Sequence, residues 1–219
     1  MNKVVIVPKT KSGLSRADIQ HHLLNVHGPL AMAHEEVGGR FDGYAHAYAI
    51  DGASDSVSGA PLLDCDALSL VRVASKQVVF DTLDNDAYRN HVQPDEDNFG
   101  DREGTRILFA DATEWGPAAT GGETKVFLFR RAERTPPATA LTEWRARLES
   151  LLSRYPSVAY CNNAVEQGEE SAAWDAIDEV VVPHEGLPRD FAAQLSEAAT
   201  NVFGRDAVAA MVTRYHLFK

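Results

Sequence analysis

His27, whose imidazole could transfer protons near neutral pH, lies near the end of the first segment whose apolar residues have helical spacing. This segment covers residues 15–30, and Gly28 and Pro29 directly follow His27. Because Gly-Pro is typical of a helix stop, we expect His27 in the last turn of a short helix, where the helix end favours an imidazolium. His27 is therefore a candidate general acid/base; alternatively, it only bonds the last helical carbonyls.

A second histidine, His22, lies five residues earlier, about 140° from His27 around an ideal helix. The two imidazoles could flank one substrate, so His22 is a candidate assistant in proton transfer. The i, i+4 spacing of a helical zinc site does not occur among the histidines at positions 21, 22, 27 and 34. We therefore expect no metal here, and we expect His21 to be exposed. The buried face of the helix is predicted to be Ile19, Leu23, Val26 and Leu30.

Strict alternation of aromatic and small residues marks the next predicted strand, at residues 44–50. Tyr44, His46 and Tyr48 share one face of this strand, and alanines occupy the other face. Buried hydroxyl and imidazole groups need partners, and aromatic side chains with polar tips suit a flat ligand that carries oxygen. We expect Tyr44 to polarise a substrate oxygen, and His46 and Tyr48 to bind substrate. In the alternative interpretation, the three groups bond one another.

Composition narrows the class of protein. The 219 residues are 44% hydrophobic, which is enough for a sizeable core in one large domain or two small ones. A net charge of −11 argues against nucleic-acid and anionic-membrane partners. Two cysteines make no disulfide framework, and the apolar run at residues 4–8 is too short for a signal peptide or a membrane span. We expect a soluble, cytoplasmic protein.

Apolar spacing predicts the same order of elements, βαββαβ, in both halves. The strands of the first half are predicted at residues 4–7, 44–50, 67–73 and 105–112, and its helices at residues 15–27, 30–37 and 75–91. The strands of the second half are predicted at residues 125–129, 158–164, 176–182 and 211–218, and its helices at residues 137–154 and 187–202. A linker at residues 116–122 separates the halves. This order predicts an α+β fold of two ferredoxin-like units whose sheets pack face to face as an intramolecular barrel.

Three stretches of the first half resemble the EthD family of the dimeric α+β barrel superfamily. They are residues 13–30 with Val-His-Gly-Pro-Leu, Tyr44 at the head of the second strand, and the acidic segment at residues 95–102. The resemblance implies a tandem form, in which residues 1–116 carry the site and residues 123–219 are a degenerate copy that completes the barrel. Leu23 stands where the family commonly has tryptophan, and Leu70 where it commonly has glutamate.

The resemblance also implies a chemistry. Members and relatives include cofactor-free isomerases, dehydratases, decarboxylases and cyclases acting on lactones and aromatic polyketides, and accessory proteins of degradation pathways. In a related group of lactone isomerases, a histidine and a tyrosine that match His27 and Tyr44 line the pocket. We therefore expect a cofactor-independent lyase, dehydratase or isomerase of catabolism, acting on a small hydrophobic carbonyl or phenolic compound.

Other interpretations of the sequence stay open. Leu70 in place of an acid favours a non-catalytic protein that binds a hydrophobic ligand, and the superfamily also includes oxygen and haem chemistry. Asn98 and Phe99 are candidates for the wall of the pocket. A solvated loop or helix cap is the alternative for the carboxylates around them, and it is preferred for Asp97. A homodimer could form through outer surfaces, although the barrel does not require one.

Overall fold

The computed structural model describes residues 1–52, 57, 60–116, 121–131, 138–155, 158–166, 174–182 and 189–219. Contacts divide the chain into two compact units. The first consists of Met1–Tyr48, Cys65–Asp111 and Tyr215–Lys219, and the second of Ala49–Asp64 and Ala112–Arg214. The domain boundaries at residues 116 and 123 stay a prediction, and positions 117–120 of the expected linker lie outside the described residues.

Four antiparallel strands form the sheet of the first unit, in the order β4-β1-β3-β2. They are β1 (Asn2–Thr10), β2 (Gly43–Ala49), β3 (Ala67–Val73) and β4 (Gly100–Trp115). Val71 pairs with both Val4 and Tyr44, and these three side chains pack in one core with residues of the helices. Because side chains alternate across a strand, Leu70 lies on the opposite face of the sheet, paired with Val5.

Two runs of helix cover one face of this sheet. The first run contains α1 (Arg16–His22), a π-helical turn (Leu23–His27), α2 (Gly28–Ala33) and α3 (Glu35–Gly38). The second contains α4 (Lys76–Leu83), another π-helical turn (Tyr88–Val92) and α5 (Gln93–Phe99). A capping box of Ser15 and Asp18 begins α1, because each side chain bonds the other's backbone amide.

Gly28 and Pro29 do not end the first helix, so the predicted helix stop is wrong. Both His27 and Gly28 have right-handed helical dihedrals, and α2 continues directly from the π-helical turn. In an α-helix, the ring of Pro29 would clash with the carbonyl four residues earlier. The π-helical turn, in which Gly28 donates to the Leu23 carbonyl five residues back, is wider and accommodates the proline. Because this turn contains more residues than an α-helical turn, it shifts the buried face of the helix away from Val26, which is exposed.

The acidic segment begins within α5 and continues into β4. Pro94 follows a second π-helical turn, in which Gln93 donates to the Tyr88 carbonyl five residues back, and this wider turn accommodates the proline as at Pro29.

The second unit has the same strand order, β6-β7-β5-β8. Its strands are β5 (Thr124–Arg130), β6 (Ala159–Val165), β7 (Ala176–Val182) and β8 (Val208–Leu217), and its main helices are α6 (Ala138–Arg154) and α7 (Arg189–Phe203). Trp144 and Leu148 of α6 pack with Phe191 and Leu195 of α7 in its core, as their spacing predicts. The predicted helix starts at positions 137 and 187 lie outside the described residues. The mixed α/β class predicted from the sequence is confirmed.

Gly28 lies against the ring of Phe218, so a larger residue there should strain the first unit. A Cβ atom at position 28 would lie 2.3 Å from Cζ of Phe218, whose ring is held between Tyr44 and His46. We expect Gly28→Ala to lower the free energy of unfolding by about 1–3 kcal/mol, measured by urea denaturation. The cost should shrink in a Phe218→Leu background, and an equal cost in both backgrounds would contradict the contact.

Candidate active site

The carboxylate of Asp95 lies between two histidines. Nε2 of His22 is 2.9 Å from one carboxylate oxygen, and Nδ1 of His27 is 3.0 Å from the other. The side-chain amide of Asn98 donates to Asp95 over 3.2 Å. The side chains of His27 and Asp95 are 9% and 10% exposed, and that of His22 is 25% exposed. A nearly buried carboxylate therefore bridges two imidazoles, with His22 at the more open end.

The π-helical turn explains how both histidines reach one carboxylate. Residues five apart are separated by one turn when the backbone bonds run from i to i+5. His22 and His27 therefore lie on the same side of the helix, and the predicted separation of about 140° is wrong because it assumed 3.6 residues per turn.

Hydrogen bonds keep Asp95 ionised. The bond from His27 lowers the pKa of Asp95 to about 2 against the opposing effect of burial, and the bonds from His22 and Asn98 act in the same direction. The anion orients His27 with its Nδ1–H toward Asp95, which leaves Nε2 with a lone pair when the ring is neutral. Among the residues that the structure describes, none hydrogen bonds to that Nε2 atom. Because the helix continues past His27, the predicted helix-end environment of its ring is wrong, and the ring contacts Asp95 instead.

Tyr44, His46 and Tyr48 form a second cluster on β2. The hydroxyl of Tyr44 is 2.7 Å from Nε2 of His46, and Nδ1 of His46 is 3.0 Å from the hydroxyl of Tyr48. His46 is fully buried, and burial, together with the charges of two other histidines, holds its pKa well below the usual range. His46 is therefore neutral. The three groups do bond one another, which is the alternative left open by the sequence.

Aromatic rings connect the two clusters. The rings of His27 and His46 are nearly parallel with centroids 6.4 Å apart, and the ring of Phe99 meets His27 edge-on at 4.9 Å. Phe218 packs against His46 at 4.8 Å. All seven residues predicted for the site consequently lie in these two clusters: His22, His27, Tyr44, His46, Tyr48, Asn98 and Phe99.

Asp95 and Glu96 were not selected from the sequence, although both are built into the site. Glu96 is half-buried and accepts a 2.8 Å hydrogen bond from the hydroxyl of Tyr88; burial raises the pKa of Glu96. Both stand in an acidic run beside exposed carboxylates such as Asp97, so residue type does not separate them. The useful signal is helical spacing, since Asp95 precedes the apolar Phe99 by four residues and therefore shares its face.

The described residues were also compared with the patterns of a metal site, a membrane span and a cavity. They contain no group of three or more His, Cys, Asp or Glu side chains arranged to hold a metal ion. None of their helices has the length and apolarity needed to cross a membrane. A groove of about 440 Å³ lies between α6 and α7 in the second unit, and none of its lining residues belongs to the two clusters.

Acid titration should reveal the contribution of Asp95 to stability. Because its pKa is lowered by folding, Asp95 stabilises the protein fully above its ordinary pKa, and this stabilisation is lost as the pH falls toward about 2. Between about pH 5 and pH 2, we expect wild type to lose more unfolding free energy than Asp95→Asn. The matched control is Asp97→Asn, whose exposed ion pair with Arg102 is screened by water. Parallel pH curves for wild type and Asp95→Asn would contradict the assignment.

Comparison with known proteins identifies a matching sequence family and similar folds. The sequence profile of the EthD domain matches residues 11–103, which contain both clusters apart from Phe218. None of the curated proteins matches the sequence significantly. Among solved structures, an anthrone oxidase-like protein has a TM-score of 0.64 at 12% identity, covering 100% of this chain and 91% of its own.

Two further solved structures have similar folds. A proposed monooxygenase from Lactobacillus acidophilus NCFM has a TM-score of 0.53 at 7% identity, covering 99% of this chain and 94% of its own. A proposed chlorite dismutase has a TM-score of 0.53 at 10% identity, covering 98% and 93%. At these identities the likeness shows the fold alone, which is that of dimeric α+β barrel proteins. Residues 11–103 match the EthD domain, and the resemblance predicted from the sequence is confirmed.

Proposed function

We propose that the EthD domain is a cofactor-independent acid–base catalyst, acting as a lyase, dehydratase or isomerase. Its substrate is a small hydrophobic carbonyl or phenolic compound of the aromatic or polyketide type. The observation that carries the proposal is the Asp95 bridge, which orients His27 and leaves its Nε2 without a partner among the described residues. A histidine oriented by a carboxylate in this way is a common general acid/base.

The proposed step is a proton transfer through His27. Neutral Nε2 takes a proton from a carbon next to the substrate carbonyl, and the electron pair moves to the carbonyl oxygen to form an enolate. Asp95 stabilises the imidazolium, which then returns the proton to another carbon or to a leaving hydroxyl. His22 assists by holding the same carboxylate, and a phenol of the cluster on β2 polarises the substrate oxygen.

The second half of the chain supports a single site. We infer that each unit is ferredoxin-like, since both have the order βαββαβ and equivalent strand orders, as a tandem barrel needs. Residues 123–219 contain two histidines. His216 packs against Phe218 in the first unit, and His184 lies outside the described residues. The second half is accordingly proposed as a degenerate copy.

The name of one solved structure is compatible with the proposed substrate class. Anthrone, in the name of the anthrone oxidase-like protein, is an aromatic ketone. It is therefore a sensible first compound to test for proton exchange by this chain.

A non-catalytic ligand-binding or accessory protein is the second candidate. The observation that favours it is that Tyr44, His46 and Tyr48 hydrogen bond to one another, which occupies most of the polar atoms that β2 could offer to a substrate. Leu70 also favours the non-catalytic role, because this position of β3 carries a buried leucine where the family commonly has an acid.

Substitution of His27 tests the proposed catalysis directly. We expect wild type to catalyse deuterium exchange from D₂O into the carbon next to the carbonyl of anthrone, detected by mass spectrometry. His27→Gln should lower this rate by about 10²- to 10⁴-fold, because glutamine cannot take the proton. His21→Gln, on the exposed side of α1, is the matched control and should keep the wild-type rate. Binding without exchange by wild type would support the accessory role, and an unchanged rate in His27→Gln would remove His27 from the mechanism.

A further inference from the structure

The hydrogen-bond chain of Tyr44, His46 and Tyr48 contains one more donor than it has hydrogen bonds. Each phenol carries one O–H, and neutral His46 carries one N–H, so three donors serve two hydrogen bonds. In the part of the chain that the structure describes, no other group accepts a hydrogen bond from either phenol. One donor of this buried chain therefore lacks an acceptor among the described residues, and buried donors without an acceptor are unusual in folded proteins.

The two distances favour Tyr48 as the phenol whose proton has no acceptor. Hydroxyl donors commonly give separations of about 2.7–2.8 Å, and N–H donors give about 2.9–3.0 Å. The 2.7 Å contact thus fits Tyr44 donating its O–H to Nε2 of His46. The 3.0 Å contact fits Nδ1–H of His46 donating to the oxygen of Tyr48. In this arrangement the hydroxyl proton of Tyr48 is left over.

The surroundings of Tyr48 suit a hydrophobic ligand. Tyr48 packs in one cluster with Ile19, Leu23 and Phe99, which offer no hydrogen-bond acceptor in their side chains. Phe99 also contacts the ring of His27. The ring of His27 therefore contacts a member of the core cluster that contains Tyr48, whereas Tyr44 is stacked against Phe218.

We propose that Tyr48 donates the hydrogen bond to the substrate oxygen, and that Tyr44 acts through His46 by setting its tautomer. This inference rests on the proposed function and narrows its substrate class to compounds with a carbonyl oxygen that becomes an enolate. As His27 removes the carbon-bound proton, negative charge grows on that oxygen and the bond from Tyr48 becomes stronger. The hydroxyl proton stays on Tyr48 throughout.

The tautomer of His46 gives the first test. In ¹⁵N-labelled wild-type protein at neutral pH, Nδ1 of His46 should show the shift of a protonated nitrogen and Nε2 that of an unprotonated one. In Tyr44→Phe this preference should weaken, because nothing then donates to Nε2; a structural role for Tyr44 alone would leave the tautomer unchanged. The opposite tautomer or an imidazolium in wild type would overturn the proposal.

A pair of ligands with one shape gives the second test. Fluorenone carries a carbonyl oxygen, and fluorene replaces it with a methylene group. We expect wild type to bind fluorenone about three- to tenfold more tightly than fluorene, measured by calorimetry. Tyr48→Phe should abolish this preference, and Tyr44→Phe should reduce it only in part. No preference in wild type, or a preference that survives in Tyr48→Phe, would overturn the proposal.

These readouts do not depend on turnover, so the two hypotheses can fail separately. A His27→Gln protein with full activity would remove the proposed function while the tautomer of His46 stayed as assigned. A wrong tautomer, or binding that ignores the carbonyl, would remove the role of Tyr48 while the loss of exchange in His27→Gln stood.

Discussion

A nearly buried carboxylate needs cationic or hydrogen-bonding partners, and in this protein Asp95 finds them in His22, His27 and Asn98. Removing an ion from water without such partners would cost several kcal/mol. The bonds therefore hold the helix that carries the histidines against α5, which carries Asp95. They also decide the orientation of His27, on which the proposed proton transfer depends.

The π-helical turn is the local condition for this bridge. It lets Pro29 remain within a continuous helix, and it brings two histidines five residues apart to one carboxylate. Gly28 follows the turn because the ring of Phe218 leaves no room for a side chain there. The motif His-Gly-Pro is thus a packing and helix-geometry motif as well as the carrier of a candidate catalytic histidine.

Two neighbouring carboxylates, those of Asp95 and Glu96, have pKa values shifted in opposite directions. Hydrogen bonds from the histidines lower the pKa of Asp95, whereas burial raises that of the adjacent Glu96. His46 is kept neutral beside a chain of phenols. Pairs of titratable groups whose environments separate their pKa values are typical of acid–base sites, and the pattern agrees with the proposed chemistry.

Alternation and apolar spacing by themselves determined the strands and their order along the chain. They also determined the shared face of Tyr44, His46 and Tyr48, because these features follow from the periods of β and α backbone. The EthD resemblance was also readable in short motifs. Local sequence could not show that the helix passes through Gly28-Pro29, since only packing against Phe218 and the sheet favours the π-helical turn. Residue type alone also could not separate Asp95 from Asp97, because two identical residues of one helix differ only in the face that the tertiary fold buries.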